Sequence, residues 1–363
     1  MDLSHLTPLC ERPGPWASVY VDTSAHSEST ALERSVEATA VQRTLKTAGA
    51  DDETCRAVRT AVDEMRHTRE PVGRALFATQ GEVVLDLPLS TPPTASAQWA
   101  PMPRTTPLLD LAGEDPLCLI AHIDRKGAEL DLHSAREDRH LGEVSGDQWP
   151  VHRAGRNNWA ERHFQLRVEN TWEHNATEMA RALETCQADT RAELILLVGD
   201  DRECAAVRDK LPKALRERTV RCRHGAGSRS LGMEIARIQA EHVAYRADRS
   251  VGDFAAARGR DGAAASGVPA VVDAARQHRL AELLVRSDGP DTHREVWVGA
   301  DPDQLATRRT DAVALGAAEP VSARADDALM RCAAAGGASA LSVAGAVPGS
   351  GPPGGLGALL RWT

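Results

Sequence analysis

The sequence predicts an α/β protein of three domains, the first of them α+β, on three observations. Its 363 residues exceed one ordinary core and suit two or three domains of roughly 100 to 150 residues each. Alternating and continuously apolar runs of strand type are interspersed with segments of helical spacing. Proline and glycine clusters interrupt the chain from Pro92-Pro93 to Pro107 and again from Gly225 to Gly232. These breaks place an N-terminal α+β domain over 1–113, a middle α/β domain with a long basic loop and a long helix over 114–226, and a C-terminal α/β/α sandwich over 227–363.

In the first domain Ala17-Ser18-Val19-Tyr20-Val21-Asp22 is a β-type run. A helix follows from about Ser27 to Ala48, with Leu32, Val36, Ala40 and Leu45 near helical spacing. Asp51-Asp52 caps a second helix to about Arg66, placing acids where they suit the helix dipole. Gly73 to Thr79 and Glu82 to Leu87 read as strands joined by a tight hairpin at Gln80-Gly81. The prolines after them break regular structure.

The middle domain opens with Leu117 to Asp124, continuously apolar in the manner of a central strand. Arg125-Lys126-Gly127 turns it into Ala128 to His133, whose alternation suits a hairpin partner with one wet face. The basic loop comes next. From Glu161 to Thr185 the residues Phe164, Val168, Trp172, Ala176, Met179 and Leu183 fall three or four apart, so one side of a long helix can lie on a sheet. Strand Glu193 to Gly199, a helix from Asp200-Asp201 to about Leu211, and strand Thr219 to Cys222 complete the unit. Gly225 to Gly232 matches neither a dinucleotide nor a Walker loop and no lysine follows it, so it reads as a flexible domain linker before a helix from Met233 to Arg249.

Arg258 to Gly267, rich in Gly and Ala, reads as a mobile loop. The third domain then has helices Val268 to His278 and Asp326 to Ala335. Its strands are Ala281 to Val285, Glu295 to Gly299 and Ser339 to Val343, with a last strand, Leu356 to Trp362, beyond the Pro348 to Pro353 break.

Composition excludes several classes. Hydrophobic residues at 42% and charged residues at 26% describe a globular protein. No run approaches the roughly 20 apolar residues of a membrane span, and Met1 to His5 lacks the parts of a signal peptide, so the expected location is the cytoplasm. The seven cysteines have no paired spacing, which indicates neither a disulfide framework nor a zinc site, and buried small hydrophobes are the expectation. No histidine sits in H-E-x-x-H and no serine in G-x-S-x-G. His122 and His133 read as a structural pair on adjacent strands, and Asp51-Asp52 and Asp200-Asp201 as helix caps. The sequence points to no catalytic residue, metal or cofactor.

One stretch departs from the rest. The formal net charge is -9, yet Pro150 to Arg167 holds four arginines, two histidines and a single acid, Glu161. Arg153, Arg156, Arg162 and Arg167 suit a polyanion, and Trp149 and Trp159 offer faces to unpaired bases. The same residues also suit a solvated surface loop whose tryptophans cover the domain beneath.

Several motifs carry a resemblance. They are Ala17 to Asp22, Gly73-Arg74-Ala75-Leu76, Thr106-Pro107-Leu108-Leu109-Asp110-Leu111, Pro150-Val151-His152, Ala323-Arg324-Ala325-Asp326-Asp327-Ala328-Leu329 and Gly354 to Trp362. With three α/β domains, the chain resembles the archaeal and eukaryotic class-one release factors and Pelota. It also resembles, along nearly its whole length, their bacterial relatives, an actinobacterial group that includes the ribosome hibernation factor Balon. The resemblance implies binding to the ribosomal A site. In the release factors a Gly-Gly-Gln triplet at the tip of the middle-domain loop directs water onto peptidyl-tRNA. Here Ala154-Gly155-Arg156-Asn157-Asn158-Trp159 fills that place, and the codon-reading Asn-Ile-Lys-Ser sequence is absent from residues 1–113.

The expected function is that of a non-catalytic hibernation factor. His152, Arg153, Arg156, Asn157, Asn158, Trp159 and Arg162 would meet rRNA, and the C-terminal sandwich would bind a protein such as elongation factor Tu. Two alternatives stay open: a release or rescue factor with peptidyl-tRNA hydrolase activity, and a regulatory or nuclease-like protein in which Asp124 would need a second acid to hold a metal.

Overall fold

The structure, a computed structural model, describes residues 1–24, 30–65, 72–124, 126–134, 138–145, 158–258, 263–343 and 351–362. Side chains at 30–33, 145 and 158–172 fall outside the description. Contacts divide the chain into two units, Met1–Glu114 with Arg246–Thr363, and Asp115–Tyr245.

In the first unit a single turn, α1 (Thr7–Cys10), precedes β1 (Trp16–Asp22), which is buried along nearly its whole length because both its faces are covered. Ala17, Val19 and Val21 face α2 (Thr30–Thr47) and α3 (Asp52–Asp63), meeting Ala38, Leu45, Val58 and Val62. Trp16 and Tyr20 belong to the opposite core with Phe77, whose ring meets that of Tyr20 edge-on at 6.2 Å. Asp51 caps α3 as expected, accepting from the Thr54 N–H at 2.7 Å. β2 (Gly73–Thr79) and β3 (Glu82–Leu89) form the expected hairpin. Gln80 and Gly81 take φ of 51° and 80°, as a two-residue turn that matches strand twist requires.

The proline-rich stretch differs from its expectation. β4 (Ser96–Ala100) pairs with β1 from Trp16↔Ala100 to Tyr20↔Ser96. The prolines flank this strand without entering it, and in the order β3-β2-β1-β4 it is an edge, where proline is tolerated. A short turn, α4 (Leu108–Leu111), closes the segment.

The second unit is a five-stranded sheet between helices. β5 (Cys118–Ile123), β6 (Gly127–His133), β7 (Asp138–Ser145), β8 (Leu194–Gly199) and β9 (Thr219–Arg221) lie in the order β7-β6-β5-β8-β9, with β5, β8 and β9 parallel. Leu119, Ala121, Ile195 and Leu197 pack beneath α5 (Asn158–Thr190), α6 (Asp201–Lys210) and the turn α7 (Lys213–Arg216). Cys118, Ile120, Leu194, Leu196 and Val198 face Leu231, Ile235 and Ile238 of α8 (Leu231–Arg258). Cover on both faces is why β5 and β8 are continuously apolar. β7 is absent from the sequence reading. A bulge at Leu141, where the register shifts between Leu130↔Gly142 and Asp131↔His140, breaks the alternation that would have marked it. Gly225–Gly232, read as a linker, lies within this unit, and the passage from Tyr245 to Arg246 falls inside α8.

The rest of the first unit is the expected α/β/α sandwich. β10 (Ala264–Ser266), α9 (Val268–Arg276), β11 (Leu280–Val285), β12 (Glu295–Val298), β13 (Leu305–Ala306), α10 (Arg309–Ala314), β14 (Val321–Arg324), α11 (Ala325–Ala335), β15 (Ser339–Ser342) and β16 (Leu356–Leu360) follow in turn. The main sheet runs β10-β16-β11-β15, and β13-β12-β14 form a small second sheet. Val271, Val272 and Leu329 of α9 and α11 share a core with Leu283 and Val285, while Val251 and Phe254 of α8 cover Leu284 and Leu341. β10 replaces part of the expected mobile loop. Its small residues suit an edge strand against Gly357 to Leu359, and Gly357 itself is required because a Cβ there would lie 2.9 Å from the Phe254 ring. All seven cysteines are free, and burial pushes the Cys118 and Cys332 thiols up to about 12, consistent with inert core residues.

Two motifs distant in sequence meet in this unit. Asp326 and Asp327, in the first turn of α11, are buried, at 0% and 4% exposure. Arg104 Nη1 donates to Asp326 Oδ2 at 2.9 Å and to Asp327 Oδ2 at 2.8 Å. Asp327 Oδ1 accepts from Thr105 N, Thr106 N and the Thr106 hydroxyl at 2.9, 3.0 and 2.9 Å. Arg324 donates twice to Asp326, and Asp110 in turn accepts from the hydroxyls of Ser287 and Ser342. Asp327→Ala would strand the Thr105 and Thr106 donors and part of the Arg104 charge. It is expected to lower the unfolding free energy by about 3–5 kcal/mol, read by urea titration, whereas a loss below about 1 kcal/mol would show that this contact does not secure the unit.

Candidate functional site

The site is set by the sheet end toward which β5 and β8 both run, with Ile123 in register with Gly199. β7 finishes at the same end, because Ser145 pairs with Gly127, and the chain leaves it there into 146–157. The helix that receives the chain, α5, has 33 residues, roughly 50 Å at 1.5 Å per residue, against roughly 20 Å for the six residues of β5. Its described core contacts, Ala176, Met179, Ala180 and Leu183, all belong to its second half. Of the residues expected to meet rRNA, His152, Arg153, Arg156 and Asn157 lie outside the described residues. Asn158, Trp159 and Arg162 fall in the first turns of α5, where the backbone is described and the side chains are not.

A cleft of about 810 Å³ opens at this sheet end, lined among others by His122, Asp124, Lys126, Glu129, Glu143 and Asp200. Gly199 lets the strand ends approach closely, since a Cβ there would lie 2.4 Å from the Ile123 carbonyl oxygen. Asp124 Oδ1 accepts from Lys126 N and Gly127 N at 2.7 and 2.9 Å, closing the β5–β6 turn. Asp200 caps α6 as expected, accepting from Arg202 N at 3.0 Å. With four carboxylates and one amine among these residues, the cleft repels phosphate. Among the described residues the one group of three side chains able to hold a metal excludes Asp124.

That group sits beside the cleft. Cross-strand registers align His122, Glu129 and Glu143 in one row and Ile120, Asp131 and His140 in the next. His140 Nδ1 lies 2.9 Å from Asp131 Oδ1 and 3.6 Å from Glu129 Oε1, and His122 Nε2 lies 3.4 Å from Asp131 Oδ2. The bond to Asp131, with Glu129 and Glu143 nearby, holds the His140 imidazole above its ordinary range despite some desolvation. His122 and His133, read as a pair, are not partners: His133 lies opposite Cys118 and contacts Asp138. The alternation Glu129-x-Asp131 marks half of this group in the sequence, but His140 joins it only through β7.

Gly225 and Ala226 complete the cleft wall, and Glu234 of α8 anchors the residues before them. Its carboxylate accepts from Arg223 N and His224 N at 2.9 and 3.0 Å and lies 2.8 Å from His224 Nδ1. Burial raises this carboxyl, but the Arg223 and His224 N–H groups and the imidazole outweigh it and hold the group at about 2, below its usual 4.5. A depressed carboxylate contributes stability that is present above pH 4.5 and is lost as the pH falls toward about 2. Urea unfolding across that window should therefore fall more steeply for the native chain than for Glu234→Gln. Parallel pH profiles would contradict the assignment.

The family model for bacterial archaeo-eukaryotic release factor family 2 matches residues 117–260. The chain is 30% identical over 372 residues, 98% of its own length and 95% of the other's, to the uncharacterized protein Rv2629 of Mycobacterium tuberculosis strain H37Rv. It is equally similar to the uncharacterized protein MT2704 of strain CDC 1551. Among solved structures, Pelota of Archaeoglobus fulgidus is similar at 11% identity and a TM-score of 0.33, over 80% of this chain and 79% of that one. An archaeal Pelota in a model of ribosome-bound Pelota and ABCE1 is similar at 12% identity and a TM-score of 0.39, over 99% and 93%. No helix among the described residues is long and apolar enough to cross a membrane. Matched by the family model over residues 117–260 and 30% identical to relatives along almost its whole length, the chain belongs to the bacterial archaeo-eukaryotic release factor family.

Proposed function

We propose that this chain is a ribosome-binding translation factor that occupies the A site without catalysing peptide release, a hibernation factor working in the cytoplasm. The observation that carries the reading is the inversion of charge between Pro150 and Arg167 in a chain of net charge -9. It falls where the release factors carry Gly-Gly-Gln. The acidic cleft wall supports the same division of labour, because it leaves Arg153, Arg156 and Arg162 as the groups that neutralise rRNA phosphates. His152, Asn157 and Asn158 supply polar contacts, and Trp159 stacks on an exposed base.

The loss of hydrolysis follows from chemistry. Gly-Gly-Gln has no counterpart here, and an asparagine at 157 or 158 is one methylene shorter than glutamine, where a displacement of about 1 Å can cost roughly a hundredfold in rate. The C-terminal segment is the surface for elongation factor Tu, where exposed Val313, Leu315 and Val321 offer apolar area to a protein.

Co-sedimentation with ribosomes at several salt concentrations tests the reading. Binding should weaken with salt, and Arg153→Ala with Arg156→Ala should lower the slope of log K against log salt by about 2. Failure to bind ribosomes from both growing and starved cells contradicts the proposal. Release of labelled peptide from stalled ribosomes would favour a rescue hydrolase, and none is expected.

A further inference from the structure

Two adjacent strands, β6 and β7, bring together donor atoms that no local stretch of sequence contains. Glu129 and Asp131 lie two residues apart on β6 and so share a face, and Asp131 is directly opposite His140 on β7. One ligand atom from each of the three residues lies within 4.8 Å of the others. A zinc ion bonded at about 2.0–2.1 Å in tetrahedral geometry separates its donors by roughly 3.4 Å. The His140 Nδ1 distances of 2.9 and 3.6 Å to Asp131 Oδ1 and Glu129 Oε1 bracket that value.

A second observation points to a cation. Glu129 is directly opposite Glu143 on the neighbouring strand, and like charges in such a pair destabilise a sheet unless something offsets them. Further along the same face, His122 Nε2 lies 3.4 Å from the second Asp131 oxygen, and its buried Nδ1 has no hydrogen-bond partner. An imidazole placed behind a metal-binding carboxylate orients it, which makes His122 a positioning residue.

We propose that Glu129, Asp131 and His140 bind a zinc ion that clamps β6 to β7. Mixed imidazole and carboxylate donors at tetrahedral spacing favour zinc over magnesium, which demands an octahedron of oxygens. The three protein ligands leave a fourth position for water. The clamp acts on the strand that leads into residues 146–157, and the inference stands independently of ribosome binding.

The test is calorimetric titration of the metal-stripped full-length protein with zinc chloride at neutral pH, in parallel with thermal unfolding. One ion per chain should bind, and the melting temperature should rise with zinc. Asp131→Asn and His140→Ala should each weaken binding by more than about tenfold and abolish the thermal shift, and His122→Ala by about tenfold. His133→Ala, outside the group, should bind as the native chain does. Absence of binding to the native protein overturns the proposal, as does binding that survives the combined Asp131→Asn and His140→Ala changes. Should a variant misfold, anomalous scattering at the zinc edge from native crystals decides instead, with a peak elsewhere or none counting against the site.

Discussion

The carboxylate of Asp327 is the constraint on which the first unit depends. It is buried and next to a second buried acid, so desolvation and Asp326 push it up, against the pull of Arg104 and the Thr106 N–H. Such a charge is tolerable only where its donors are fixed, and those donors come from Arg104, Thr105 and Thr106, some two hundred residues away in the chain. The first β-sheet is tied into the same arrangement: Ser18 accepts from Arg104 N at 2.8 Å and the Tyr20 hydroxyl donates to the Arg104 carbonyl at 2.5 Å. The N-terminal and C-terminal segments thus share one core, and the middle unit is an insertion in it.

Within the first unit, the residues on either side of the insertion meet. Glu114, the last residue before it, is 3.1 Å from Arg246, the first residue after it, and also 2.9 Å from the Met1 amino group. Its own sheet is stiffened by β5 and β8, buried on both faces, and these fix the end at which β7 delivers the chain to residues 146–157. The cleft beside β5 and β8 is lined by carboxylates, while the arginines follow β7 in the sequence.

Much of this was legible in the sequence where burial imposed a pattern. Strands covered on both faces, such as Leu194–Gly199, are continuously apolar, and Asp51 and Asp200 cap helices as short acidic residues do. Five strands were hidden, two of them, β13 and β14, because they are only two and four residues long. β4 is an edge framed by prolines, β7 carries a bulge that breaks its alternation, and β10 is built of alanine and serine in a stretch that resembles a loop. The loss of β7 also concealed the Glu129, Asp131 and His140 group, because its members become neighbours only through cross-strand register. The pairing of Asp327 with Thr105 and Thr106 was equally out of reach, although both stretches stood out as motifs. By contrast, the inversion of charge around Arg153 and Arg156 is a property of sequence alone.

We propose that the charge-inverted segment docks on folded rRNA. A cryo-EM reconstruction of the protein on ribosomes tests it most directly. Density for the middle unit is expected in the A site, with Arg153 and Arg156 against rRNA phosphates and Trp159 stacked on a base. Density that places residues 150–162 in solvent, or the protein at a site remote from the A site, would contradict it.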